Sequence, residues 1–170
     1  MWPSIEEVRQ WGYDEEADFI EQDEDLLLYG FEYIPVLCQL AADPNCPKNE
    51  YAYAVLSQFF RNSIVRGPRE DIERFQAVLA ASLTRGGYAE KWQAYATRLL
   101  QLVQHPSPLS VTEARSFAED LLLGPGRVGK LSEAISDQEG RLRFTLRTSI
   151  MEHVDISLAT GSFSYVRQHA

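Results

Sequence analysis

The sequence predicts an all-α protein: a compact bundle, or short HEAT-like solenoid, of about seven antiparallel helices, with a small C-terminal β-hairpin as the competing reading of its last segment. Three observations point there. Apolar residues recur every three or four positions through most of the chain. Pro, Gly and Asn interrupt that pattern at spacings of roughly 20 residues. Two Ser-x-x-Glu sequences, Ser4 with Glu7 and Ser110 with Glu113, stand where a capping box would open a helix. With 45% hydrophobic and 24% charged residues, the 170-residue chain reads as one folded helical domain, 1–170, that needs no disulfide or metal to hold its core.

The first helix runs from the Ser4 cap to Gly12, and an acidic stretch follows, helical from about Glu15. Leu26, Leu27, Tyr29, Ile34, Leu37 and Leu40 form an apolar helical face that is kinked or restarted near Gly30 and Pro35, because proline cannot donate the hydrogen bond of a continuous helix. Residues 43–47, Asp-Pro-Asn-Cys-Pro, end it. Asn49 caps a helix carrying Ala52, Leu56, Phe59, Phe60 and Ile64, which stops at Gly67-Pro68. The next helix buries Ile72, Phe75, Leu79 and Leu83, places Glu70, Asp71 and Glu73 at its positive N-terminal end, and stops at Gly86-Gly87. Tyr88, Trp92, Tyr95, Leu99 and Val103 make the cleanest stripe. Val111, Ala114, Phe117 and Leu121 line a further helix that Gly124-Pro125-Gly126 closes.

Beyond this point two periods compete. A short helix is expected over 131–135, a turn over 137–140 and a tail from Ser162. Leu142, Leu146, Ile150, Val154 and Leu158 at four-residue spacing read as a long helix over 141–160, stopped by Gly161. Leu142, Phe144 and Leu146 alternating with Arg141, Arg143 and Thr145 read instead as a half-buried strand, and Val154, Ile156 and Leu158 repeat the alternation. The helical surroundings favour the helix.

Function is read first from charge. Residues 1–25 hold ten acids against Arg9 alone, a net of −9, while residues 26–170 hold fifteen charges of each sign. Such a field repels nucleic acid and anionic lipid and attracts basic surfaces. Asp14, Glu15, Glu16, Asp18, Glu21, Asp23, Glu24 and Asp25 repel one another, and a bound cationic partner would relieve that repulsion. Seven of the nineteen aromatics also lie within the N-terminal segment 1–33. Trp11 and Tyr13 beside this acidic run are the expected anchors of a protein interface, with the carboxylates steering the encounter.

Other chemistry finds no cast. Residues 124–130 match the GxxxxGK phosphate loop, but Leu131 stands where Ser or Thr would bind magnesium, and an amphipathic helix rather than a strand precedes the loop. No Glu-x-x-His, calcium loop or zinc spacing occurs, so no metal or cofactor is expected. His105, His153 and His169 are scattered. Cys38 and Cys46 read as free thiols. Arg141, Arg143 and Arg147 form a basic stripe expected to pair with acids of the same chain. The first residues lack the basic start and apolar middle of a signal peptide, and no apolar run reaches a membrane span, so a cytoplasmic protein is expected.

The sequence therefore predicts a non-enzymatic acidic protein that captures and occludes a basic protein partner, most concretely a bacterial immunity protein neutralising a toxin. A secretion chaperone or adaptor, and a phosphate- or nucleotide-binding enzyme using residues 124–130, are the alternatives.

Overall fold

The computed structural model describes residues 3–17, 30–67, 69–81, 85–125, 129–136, 140–148 and 150–169. Contacts within the chain separate it into two units, Met1–Thr97 and Arg98–Ala170. Among the described residues no helix is long and apolar enough to cross a membrane.

The first unit is helical. Helix α1, Ile5–Tyr13, starts at the predicted capping box: Ser4 Oγ accepts from the Glu7 amide at 3.2 Å, and Glu7 Oε2 accepts from the Ser4 amide at 2.6 Å. A single 3₁₀ turn, Phe31–Tyr33, leads into α2, Ile34–Ala42, where Pro35 occupies the first turn. Its missing N–H costs nothing there; Leu26, Leu27 and Tyr29, the first part of the expected apolar face, lie outside the described residues. Helix α3, Asn49–Arg66, and α4, Arg69–Ala81, follow, with Asn49 as the first helical residue rather than the cap. Helix α5, Gly87–Gln104, contributes its first half to this unit. Gly86 and Gly87 both have positive φ, +96° and +53°, and a Cβ on Gly87 would meet the Ala42 carbonyl oxygen at 2.9 Å. Only glycine lets α5 begin against the end of α2.

The core between these helices is aromatic. Phe31, Phe59 and Phe75 form a triangle with centroids about 5 Å apart, and Phe60 meets Phe75, Trp92 and Tyr95 edge-on. Each such pair adds roughly 0.5–1.5 kcal/mol beyond its burial. Ile34, Leu37, Leu40 and Leu56 complete the core.

The second unit packs one helix on a sheet. Helix α6, Val111–Leu122, opens at the second predicted capping box, Ser110 with Glu113. Four strands follow: β1 Leu131–Ile135, β2 Arg141–Arg147, β3 Ile150–Ser157 and β4 Phe163–His169, each antiparallel to the one before, in the order β1-β2-β3-β4. The register places Phe144, Val154 and Tyr165 in one row and Leu142, Ile156 and Phe163 in another. That face meets α6, with Phe117 edge-on to Phe163 at 5.6 Å and Arg115 paired to Glu133. Gly161, at φ +74°, turns the chain from β3 to β4 against the backbone of Ser107, and the Leu109 amide donates to the Leu158 carbonyl.

The sheet overturns the all-α expectation. The bundle or HEAT-like solenoid of about seven helices is replaced by six α-helices plus a four-stranded antiparallel sheet among the described residues. Residues 131–135 are a strand rather than a short helix, 141–160 are two strands rather than one long helix, and 163–169 are an edge strand rather than a tail. The physical reason is that positions four apart share a face in both geometries. The stripe Leu142, Leu146, Ile150, Val154, Leu158 is therefore half of a period-2 pattern, and Phe144 and Ile156 supply the other half. Their aromatic and β-branched side chains suit a pleated surface covered on one side. The hairpin alternative had the right period but only half of the sheet.

Candidate functional site

Helix α1 carries the described part of the acidic surface, and four contacts from elsewhere in the first unit hold it. Val8 is buried, and a Cβ on Gly12 would lie 2.5 Å from Leu40, so the helix seats directly on α2. Cys46 Sγ donates to the Gly12 carbonyl at 3.2 Å. The Lys48 ammonium donates to the carbonyls of Trp11, at 2.9 Å, and Asp14, and stands 5.0 Å from the centroid of the Trp11 ring. It thereby places a cation on the negative C-terminal end of α1. At the other end the Tyr33 hydroxyl donates to the Pro3 carbonyl at 2.8 Å.

On this platform Glu6, Glu7, Asp14, Glu15 and Glu16 are exposed. Asp14 Oδ1 accepts from the amides of Glu16 and Ala17, which folds the chain into a tight bend. The helix expected from Glu15 is therefore a bend over 15–16. Tyr13 is 48% exposed, and its hydroxyl donates to Asp43 Oδ2 at 2.6 Å. That bond holds the Asp43 carboxyl below its usual range and raises the Tyr13 phenol above its own. Ser4 does the same for Glu7, keeping it ionised.

Of the predicted partner-binding residues, Trp11, Tyr13, Asp14, Glu15 and Glu16 fall together at the end of α1. Asp18, Glu21, Asp23, Glu24 and Asp25 lie outside the described residues. Trp11 is half-buried, edge-on to Tyr51 at 5.5 Å and covered by Lys48, so its ring serves the fold, while Tyr13 is the outward aromatic. Sequence reasoning missed Asp43, Cys46 and Lys48. No local signal marks them, because they meet α1 across 30 to 37 residues.

The second unit gathers polar chemistry on the sheet face opposite α6. Arg143 and Asp155 pair across β2 and β3, with Nε to Oδ1 at 2.8 Å and an Nη to Oδ2 at 2.9 Å. Asp155 also takes a hydrogen bond from Ser136, and the Arg143 interaction outweighs burial to hold its carboxyl below the usual range. Beside it His153 is 7% exposed, and burial, reinforced by Arg143, pushes its imidazole pKa down. Ser136, His153 and Asp155 share a face, but the carboxylate that would orient an imidazole is committed to a guanidinium. The arrangement bolts the sheet together. The one available hint in the sequence was an aspartate flanked by Val154 and Ile156 in a strand pattern.

The Arg141, Arg143, Arg147 stripe lies on this face. Arg143 is ion-paired within the chain as expected, Arg141 makes long contacts of 3.5 Å to the Asp155 carbonyl and Ser164 Oγ, and Arg147 is exposed. Gly124, Pro125, Gly129 and Lys130 connect α6 to β1, so a helix precedes and a strand follows, the reverse of a phosphate-cradling loop. Both cysteines are free and buried, and burial pushes the Cys38 thiol up to about 12. No group of metal-ligating side chains occurs among the described residues.

No match is found among protein-family models, curated proteins or solved structures. The four-stranded sheet overturns the all-α helical repeat expected of a toxin-neutralising immunity protein, and the comparisons lend that narrower reading no support.

Proposed function

We propose that this chain is a non-catalytic binding protein that receives a basic surface of a partner protein on the carboxylates at and beyond the end of α1. One observation carries the reading: Asp14, Glu15 and Glu16 project from a helix end fixed by Lys48, Cys46 and Leu40, within the 25 residues that hold the chain's entire charge excess of −9. Carboxylates displayed on an immobilised support lose little freedom on binding, and their summed field accelerates encounter with a cationic surface. Exposed Tyr13 offers the apolar contact that slows release. Two buried free thiols suit a reducing compartment and support our assigning this capture to the cytoplasm.

The test is binding of the full chain and of a variant with Asp14, Glu15, Glu16, Asp18, Glu21, Asp23, Glu24 and Asp25 changed to amides. A basic protein retained from source-cell lysate is purified and titrated against both at two salt concentrations. The reading expects association to slow by about 10-fold or more in the variant and to lose most of its salt dependence. Equal affinity and equal salt response in the two proteins would refute it.

A further inference from the structure

The sheet face opposite α6 ends in an open hollow of about 410 Å³ lined by Lys130, Leu131, Ser132, Thr145 and Arg147. Ser132 and Thr145 are directly opposed in the β1–β2 register, so their hydroxyls share one row. Lys130, just before β1, and Arg147, at the end of β2, are both exposed and form the cationic rim. Like charges brought together across a strand pair destabilise it. Among the described residues neither has an ion-pair partner and no carboxylate lines the hollow. The nearest acid of this face, Asp155, is already committed to Arg143. The second unit is neutral overall, with eight acids and eight bases, yet this face sets Lys130, Arg141, Arg143 and Arg147 against Asp155 alone among its described residues.

The geometry points to an oxyanion site: Lys130 and Arg147 clamp a phosphate-type dianion from two sides while the Ser132 and Thr145 hydroxyls donate to it from the floor. A guanidinium offers paired donors to two oxygens of a tetrahedral anion, and an ammonium adds a mobile point charge. Among the described residues Ser132 Oγ is engaged by one long contact, of 3.5 Å to the Thr145 carbonyl, so its proton can turn to a ligand. The recognition uses side chains of paired strands rather than backbone amides at a helix start, which distinguishes it from the phosphate loop that residues 124–130 resemble. All five residues of the site belong to the second unit.

Inorganic phosphate is the probe. The isotope-labelled full chain is titrated at pH 7.5 and constant ionic strength, and the amide shifts of residues 130–132 and 145–147 are followed. The site predicts saturable shifts with Kd of about 1–10 mM, as two solvent-screened cations allow, and a loss of about 5- to 10-fold in affinity for each of Lys130→Ala and Arg147→Ala. Both residues are exposed, so the variants keep the fold, and their unchanged remaining spectrum verifies this. O-phosphoserine binding more tightly than phosphate identifies a phosphorylated side chain as the source, and the reverse order a free anion. Shifts that grow linearly, that acetate reproduces at equal ionic strength, or that survive in the double variant would overturn the assignment.

Discussion

Arg143 faces Asp155 across adjacent strands and donates two hydrogen bonds to its carboxylate, of 2.8 and 2.9 Å, although the Asp155 side chain is only 4% exposed. Arginine's rigid fork matches the carboxylate, and Ser136 takes up further acceptor capacity, so the charge is tolerated inside the sheet. Removing Arg143 strands that charge. Arg143→Ala is expected to lower unfolding stability by about 2–4 kcal/mol, read from urea denaturation. The double replacement Arg143→Met with Asp155→Leu should recover part of the loss, because no charge is left unpaired and only the Ser136 hydroxyl loses its acceptor.

The imidazole beside this pair makes stability depend on pH in a defined direction. His153 has a folded-state pKa below the usual 6.5, so the unfolded chain binds its proton first as pH falls. Stability is therefore complete above about pH 6.5 and declines as the pH drops toward the depressed folded value. Asp155, also depressed, contributes stability above its unfolded pKa near 3.8 that is lost only at lower pH. Denaturation midpoints between pH 7.5 and 5 should fall in the wild type and flatten in His153→Gln; an unchanged slope would exonerate the histidine.

Lys48 supplies the clamp on α1 from the turn between α2 and α3. Lys48→Met keeps the stem but removes the charge from two backbone carbonyls and from the Trp11 ring. A destabilisation of about 1–2 kcal/mol is expected, and amide hydrogen exchange should accelerate in α1 while α6 and the sheet keep their protection.

Gly161 tests the turn that completes the sheet. Its φ of +74° disfavours any side chain, and a Cβ would stand 2.2 Å from the Ser107 carbonyl oxygen. Gly161→Ala should cost about 2–3 kcal/mol. At Gly140, with φ +71° and open space around the Cβ position, the same change should cost only about 1 kcal/mol. Thermal melts of the two variants separate strain from collision.

What the sequence by itself determined is local or additive. The Ser4 and Ser110 caps, the apolar stripe from Tyr88 to Leu99 and the breaks at Gly67 and Gly86 involve neighbours within one or two helical turns. The charge imbalance of the first 25 residues is a sum that no folding can change. Tertiary structure decided the rest. Leu142, Leu146, Val154 and Leu158 share a face in either geometry, so the choice of strand over helix rested on hydrogen bonds to partner strands and on α6 covering Phe144, Val154 and Ile156. The same holds for the candidate sites: Lys48 meets Trp11 across 37 residues, and Ser132 finds Thr145 across 13. Side-chain period reports which face a residue takes, whereas pairing and clustering are set by the closure of long loops, whose favourable energy appears only once the chain has brought distant segments together.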